Sequence, residues 1–258
     1  MPLLSAERYF AEIEARSAEL ARLVGGADLS LPIPTCPDWT LRQLATHVGR
    51  AHRWAAETIA TRSAEFIPFR SVPDGKFPDD PAKQPAWLTA GAHRVIEAVR
   101  AAGSDPVWAF GTMAPAGFWA RRMTHETLVH TADARLAAGQ RPVISPDIAA
   151  DAIDEWLGFI SGPVYGRPDP RAQALPEGSV LHVHTTDEQP AGSGEWLVRH
   201  TPAGVTVEAG HGNGDVALTG PAVPVLLVLL RRLPADDPAV TVFGDVDLLS
   251  RWLAETPF

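Results

Sequence analysis

The 258-residue chain is long enough for one large domain or two ordinary ones, and its 45% apolar and 21% charged residues fit a globular protein. Twenty-two basic residues against 31 acidic leave a formal charge of −9, which argues against a nucleic-acid surface built on a basic stripe. The single cysteine, Cys36, excludes an intrachain disulfide and any C-x-x-C zinc or redox motif.

The first half reads as helical. Ser5 is placed to cap a helix running to about Val24, with Glu7 in the first turn and Phe10, Ile13, Leu20 and Leu23 on its apolar face. After the Pro-rich loop GGADLSLPIPTCPDW, Thr40 and Gln43 form the T-x-x-Q of a capping box, opening a helix to about Thr61. A long irregular connection leads to a third helix over about Ala86 to Ala102. The aromatic stretch GSDPVWAFGTMAPAG reads as another loop. A fourth helix spans about Phe118 to Ala138 and stops at Gly139. Ser145 and Pro146 open a fifth.

The segment 161–178 is rich in Gly and Pro and reads as the linker. Beyond it strands and helices mix. SVLHVHTT alternates, with Leu181, Val183 and Thr185 on one face. GEWLVRH and GVTVEAG read as strands joined by a TPAG hairpin turn, and GDVALTG as a further strand. PAVPVLLVLLRRL is a buried helix, AVTVFG a strand and DVDLLSRWLAE a closing helix. This places an all-helical domain over residues 1–165 and a small α/β domain over 175–258. The N-terminus lacks a signal-type apolar run, and the apolar stretch 223–230 is too short to span a bilayer. A cytoplasmic protein without nucleic-acid or membrane partners, monomeric or homodimeric, is expected.

The chemistry concentrates in RRMTHETLVHTAD. It resembles H-E-x-x-H but places its second histidine one residue late. Residues four apart share a helix face, so Glu126 and His130 pair while His125 points elsewhere. Trp119, Met123, Glu126, His130, Ala134 and Ala137 form one inward stripe, where a carboxylate and an imidazole are costly unless paired or metal-bound. On the second helix Leu44, His47, Ala51 and Trp54 form a similar stripe. His47, Glu126 and His130 would make a His2Glu zinc set with an open fourth position. A buried hydrogen-bonded pair with a core histidine is the other reading of the same residues. Asp133 is placed to support His130 or to act as an acid or base.

The remaining histidines lack a partner at helical spacing; HVH (His182, His184) could offer two ligands from one strand face, but a solvated strand face is the preferred reading. GHGNGD reads as a turn, not a phosphate loop, because no capped helix follows. Cys36 reads as a small buried filler. Arg231 and Arg232 end an apolar helix; dipole complementarity explains them on pattern alone, with an anion clamp as the functional alternative.

CPDWTLRQLATHVGRAHRW and RRMTHETLVHTADA resemble the two signatures of the mycothiol-dependent maleylpyruvate isomerase family. VLLVLLRRLPADDPAVTVFGDVDLLSRWLAE is similar to its C-terminal domain. The resemblance covers nearly the whole chain. It implies a DinB-like four-helix bundle followed by a sterol-carrier-like α/β domain. It further implies that His47, Glu126 and His130 hold a divalent metal, zinc by preference, with Asp133 nearby. Arg232, less securely Arg231, matches an arginine presented to the active site. Mycothiol, the low-molecular-weight thiol of actinobacteria, is the implied cosubstrate: its metal-activated thiolate adds to an electrophilic small molecule, in cis–trans isomerisation or in S-transfer. A non-catalytic metal-binding or small-ligand-binding module is the alternative of a different class.

Overall fold

The computed structural model describes residues 4–164, 167–168, 175–187, 194–202 and 204–256. They divide into two compact units, residues 4–143 and the residues from Ile144 onward.

The first unit is a four-helix bundle of α1 (Ala6–Val24), α2 (Leu41–Ala60), α3 (Gln84–Ala102) and α4 (Gly117–Ala137). Its helix starts are set locally. The Ser5 side chain accepts from the Arg8 N–H. Thr40 and Gln43 complete both halves of a capping box, answering amide groups that a helix N-terminus leaves without partners. α4 is buried on almost every face, from Trp119 through Ala134, which makes it the central element of the bundle.

The packing of α2 on α3 is unusually close. A Cβ on Gly49 would lie 1.9 Å from the Trp87 ring, and one on Gly91 would lie 2.8 Å from the Arg53 guanidinium. Two glycines, one on each helix, therefore make room for one large side chain from the other. Arg53 lies 4.0 Å from the centre of the Trp87 ring and donates to the carbonyls of Gly49 and Trp87. It also pairs with Asp74 at 3.3 Å. A buried guanidinium is tolerated only when answered in this way.

The aromatic stretch expected as a loop is a hairpin, β1 (Pro106–Ala109) and β2 (Thr112–Pro115). Phe110 and Gly111 make its two-residue turn with φ of 51° and 92°, the primed geometry that matches strand twist. Trp108 then stacks in a cluster with Trp54, Phe110 and Trp119, and its carbonyl accepts from Trp119 Nε1 at 2.9 Å.

The second unit begins with α5 (Pro146–Ser161). The expected division near residue 165 put this helix with the bundle, but it packs on α6 (Ala222–Leu229) and on β7 (Gly204–Ala209). Periodicity identifies an apolar helix face; it does not name the face it will cover. The expected linker falls largely outside the described residues, which include there a short antiparallel pair, β3 (Pro163–Val164) and β4 (Arg167–Pro168). The sheet adds β5 (Val180–Thr185), β6 (Glu195–Thr201), β8 (Val216–Gly220) and β9 (Thr241–Gly244), in the order β7-β6-β5-β8-β9. Only β5 and β8 run parallel; the other pairs are antiparallel. Of the TPAG turn between β6 and β7, Ala203 lies outside the described residues.

Leu181 and Val183, Trp196 and Val198, and Val216 and Leu218 bury one face of this sheet, as the alternation requires. Trp196 Nε1 donates to Asp154 on α5 at 3.0 Å. α7 (Val246–Glu255) closes the unit, capped by Asp245.

α6 terminates on Arg231 in the left-handed region, φ 61°. The Arg231 N–H donates to Val228 and the Arg232 N–H to Leu227, the hydrogen-bond pair of a Schellman ending, where glycine is usual. Among the described residues no helix is long and apolar enough to cross a membrane.

Filling the notch between α2 and α3 tests this packing. Gly49→Ala is expected to cost about 2 kcal/mol through overpacking against Trp87, despite alanine's better helix propensity. Urea unfolding of the variant and the parent measures it.

Candidate functional site

The site is assembled on α2, α4 and the loop before α2. His47 Nε2 lies 2.5 Å from Glu126 Oε1, and His130 Nε2 lies 3.5 Å from the same oxygen. The two imidazole rings meet edge to face at 4.9 Å. One ligand atom from each of His47, Glu126 and His130 falls within 4.8 Å of the others. The sequence stripes on the two helices therefore do converge. His125 lies off the site, edge-on to Tyr9 of α1. His52 lies on another face of α2, bonded through Nε2 to Thr127 at 2.7 Å.

Asp133 is fully buried and sits behind His130, 3.0 Å from its Nδ1. Thr35 donates to Asp133 Oδ1 at 2.7 Å, and the Cys36 thiol to Oδ2 at 3.3 Å. A carboxylate on one imidazole nitrogen fixes the ring so that the other nitrogen faces the site. Cys36 is partly exposed and takes part in the same network, so it does more than fill space.

Three contributors were not evident in the sequence. Trp39 lies against both rings, 4.9 Å from His47 and 5.8 Å from His130. It follows a turn in which Asp38 takes φ 69° and the Trp39 N–H reaches the Cys36 carbonyl at 3.0 Å. Thr35 comes from the same loop. Arg122 holds the second oxygen of Glu126 at 3.0 Å; its spacing of four from Glu126 was the signal that could have found it.

Electrostatics follow from burial and pairing. Burial on its own would raise the Glu126 pKa, but hydrogen bonds from His130 and His47 and the nearby Arg122 outweigh it and hold the carboxyl well below the usual range. Burial likewise opposes charge on His130, yet Asp133, Cys36 and Glu126 raise its pKa well above the ordinary value. Two carboxylates thus flank one imidazole, a setting that favours positive charge between them. The His47 side chain is 40% exposed, against 7% for His130, so solvent reaches the site from the α2 side. Two imidazoles and one carboxylate from rigid helices form a donor set that fits a divalent ion of the zinc type.

The sequence matches the mycothiol maleylpyruvate isomerase N-terminal domain over residues 10–135 and the MDMPI C-terminal domain over residues 147–251. This chain belongs to the mycothiol maleylpyruvate isomerase family. The fold agrees. A crystal structure of the mycothiol-dependent maleylpyruvate isomerase aligns over 94% of this chain and 95% of its own, with a TM-score of 0.59 and 18% identity. A histidine-to-alanine variant of the mycothiol-dependent maleylpyruvate isomerase aligns over the same shares, with a TM-score of 0.58 and 16% identity. No match to this sequence was found among curated proteins. Arg231 and Arg232 lie in the stretch matching the family's C-terminal domain. Within their own unit Arg231 is exposed, and Arg232 is partly buried with Nη1 donating to the Leu230 carbonyl at 2.7 Å.

Two predictions follow from this geometry. Asp133→Asn keeps the size of the side chain but removes the charge behind His130; zinc affinity, measured by chelator competition, is expected to fall by about 10- to 100-fold. His52 has its pKa lowered from 6.5 to about 4, first by burial and then by Arg53. Below pH 6.5 the unfolded chain therefore takes up a proton that the folded chain refuses until about pH 4. Stability falls with pH across that window, by about 3 kcal/mol at most from this one group. Unfolding measured from pH 7 to pH 4 is expected to show this slope, reduced in His52→Leu.

Proposed function

We propose that the chain is a metal- and mycothiol-dependent enzyme that presents a thiolate to an electrophilic small molecule. One observation carries the reading: His47 Nε2 and His130 Nε2 lie 2.5 and 3.5 Å from Glu126 Oε1, and one ligand atom from each of the three residues falls within 4.8 Å of the others, in a chain of this family. A divalent ion held by His47, Glu126 and His130 would supply Lewis acidity, which keeps a thiol ionised at neutral pH.

The side chains then have distinct tasks. Asp133 orients His130, and Arg122 anchors Glu126 so that its other oxygen stays turned to the histidines. Thr35 and Cys36 hold Asp133 in place. The exposed edge of His47 marks the approach for thiol and substrate, with Trp39 as its apolar wall. Because mycothiol brings the sulfur, Cys36 is left to the supporting network. Arg232, with Arg231 beside it, is assigned the substrate's carboxylate or enolate oxygen; this rests on the family's arginine and on the two cations that follow α6.

For maleylpyruvate, the thiolate forms a C–S bond at the cis double bond while the π electrons move to the conjugated carbonyl oxygen. Rotation about the new single bond follows. Collapse of the enolate restores a trans double bond and expels the thiolate, giving fumarylpyruvate. With an electrophile that lacks this return path, the enolate takes up a proton from solvent, the sulfur stays attached and the reaction is S-transfer.

The test is turnover of maleylpyruvate and a panel of electrophiles, with and without mycothiol, by the zinc-loaded protein. Activity is expected only with the thiol, and His130→Ala is expected to lose more than about 100-fold. Equal turnover without any thiol overturns the reading. Zinc uptake with no turnover on any pair supports a binding module instead.

A further inference from the structure

Outside the bundle, the second unit brings together a separate group of imidazoles. His182 and His184 lie two apart on β5 and so share a sheet face, with rings stacked 5.8 Å apart at 11°. Glu195 on β6 is the cross-strand partner of His184. Its Oε2 lies 3.0 Å from His182 Nε2 and 2.7 Å from His211 Nδ1. Its Oε1 lies 3.8 Å from His184 Nε2. The His182 and His211 rings meet edge to face at 5.4 Å.

The loop that carries His211 is built to lie on this face. A Cβ on Gly212 would sit 2.6 Å from Leu197 Cδ1. One on Gly214 would sit 2.7 Å from the Val216 carbonyl and 3.0 Å from the His182 backbone nitrogen. Only glycine allows the chain to pass so close. Asp215 then ties the loop end to β5, its N–H donating to the Val180 carbonyl at 2.8 Å and its carboxylate accepting from the Val180 N–H at 2.8 Å. GHGNGD is thus a strap across β5 and β6, and it covers His182, which is 6% exposed.

We propose that His182, His184, Glu195 and His211 form a second metal site, taking a first-row divalent ion of the zinc type and clipping β5, β6 and the 210–215 strap together. One ligand atom each from His182, Glu195 and His211 already lies within 4.8 Å of the others. A tetrahedral ion with arms of about 2.0 Å wants donors about 3.3 Å apart, a small opening from the present contacts. His184 supplies the fourth donor by turning its ring. Three imidazoles and one carboxylate select zinc-like ions over magnesium or calcium, which prefer oxygen donors.

The experiment is zinc titration of the full-length, chelator-stripped protein, with cobalt absorption as a second readout of coordination. The parent is expected to bind two zinc ions per chain. His211→Ala, at a side chain 77% exposed and so harmless to folding, is expected to weaken one of the two by at least 10-fold and leave the other unchanged. Glu195→Gln should do the same. His130→Ala should remove only the ion of the bundle. One zinc in the parent that survives His130→Ala and is lost in His211→Ala still supports this site and counts against the bundle site alone. Unchanged stoichiometry and affinity in His211→Ala, or loss of all zinc in His130→Ala, overturns the proposal.

Discussion

A carboxylate placed on the most buried helix of a bundle must be answered by positive charge, and Glu126 sets that demand here. Arg122 takes one oxygen from within α4, while the other faces His47 and His130. The same demand recurs one layer deeper, where Asp133 answers His130 and is itself held by the loop before α2. Alternating charges, cation to anion to imidazole to anion, run along α4 to the point where that loop meets it. Without this alternation the burial of two carboxylates would destabilise the bundle.

The position of His47 depends on a different kind of constraint. Side chains two apart on a helix point to nearly opposite sides, so the helix face carrying Gly49 is turned away from the His47 side chain. That face is pressed against Trp87. Arg53 one turn later reinforces it, bonded to the carbonyls of Gly49 and Trp87. The depth to which α2 sinks onto α3 therefore governs how far His47 reaches toward α4. Packing on one side of a helix and the placement of His47 on the other are parts of one adjustment.

How much of this was legible in the sequence differs residue by residue. The capping box at Thr40 and Gln43 and the cap at Ser5 are local, and they appear where the sequence places them. The i,i+4 pair Glu126/His130 is local too, and it is in register. His47 was found only because its own helix left it on an inward stripe. Trp39 and Thr35 escaped notice because a loop has no periodicity from which to project direction; a turn with Asp38 in the left-handed region delivers them. The β1–β2 hairpin escaped because Phe, not Asn or Gly, opens its turn, and because the strands are four residues each. The pairing of Glu195 with His182 and His211 depends on sheet register and on a glycine strap, and neither can be read along one strand. A solvated face was the expectation for HVH; His182 is covered because the strap crosses it.

Arg53 and Arg231 show two opposite relations between a cation and its backbone. Arg53 is inseparable from the fold, since its guanidinium fills a cavity between two helices. Arg231 occupies a helix ending that glycine would make with less strain, by about 1 kcal/mol. There the backbone gains nothing from the side chain it carries. The fold of the second unit and the charge it displays at residue 231 are therefore separable quantities: a chain could give up the cation and keep, or even improve, the helix end. A positive charge at 231 is an addition to the architecture, not a requirement of it.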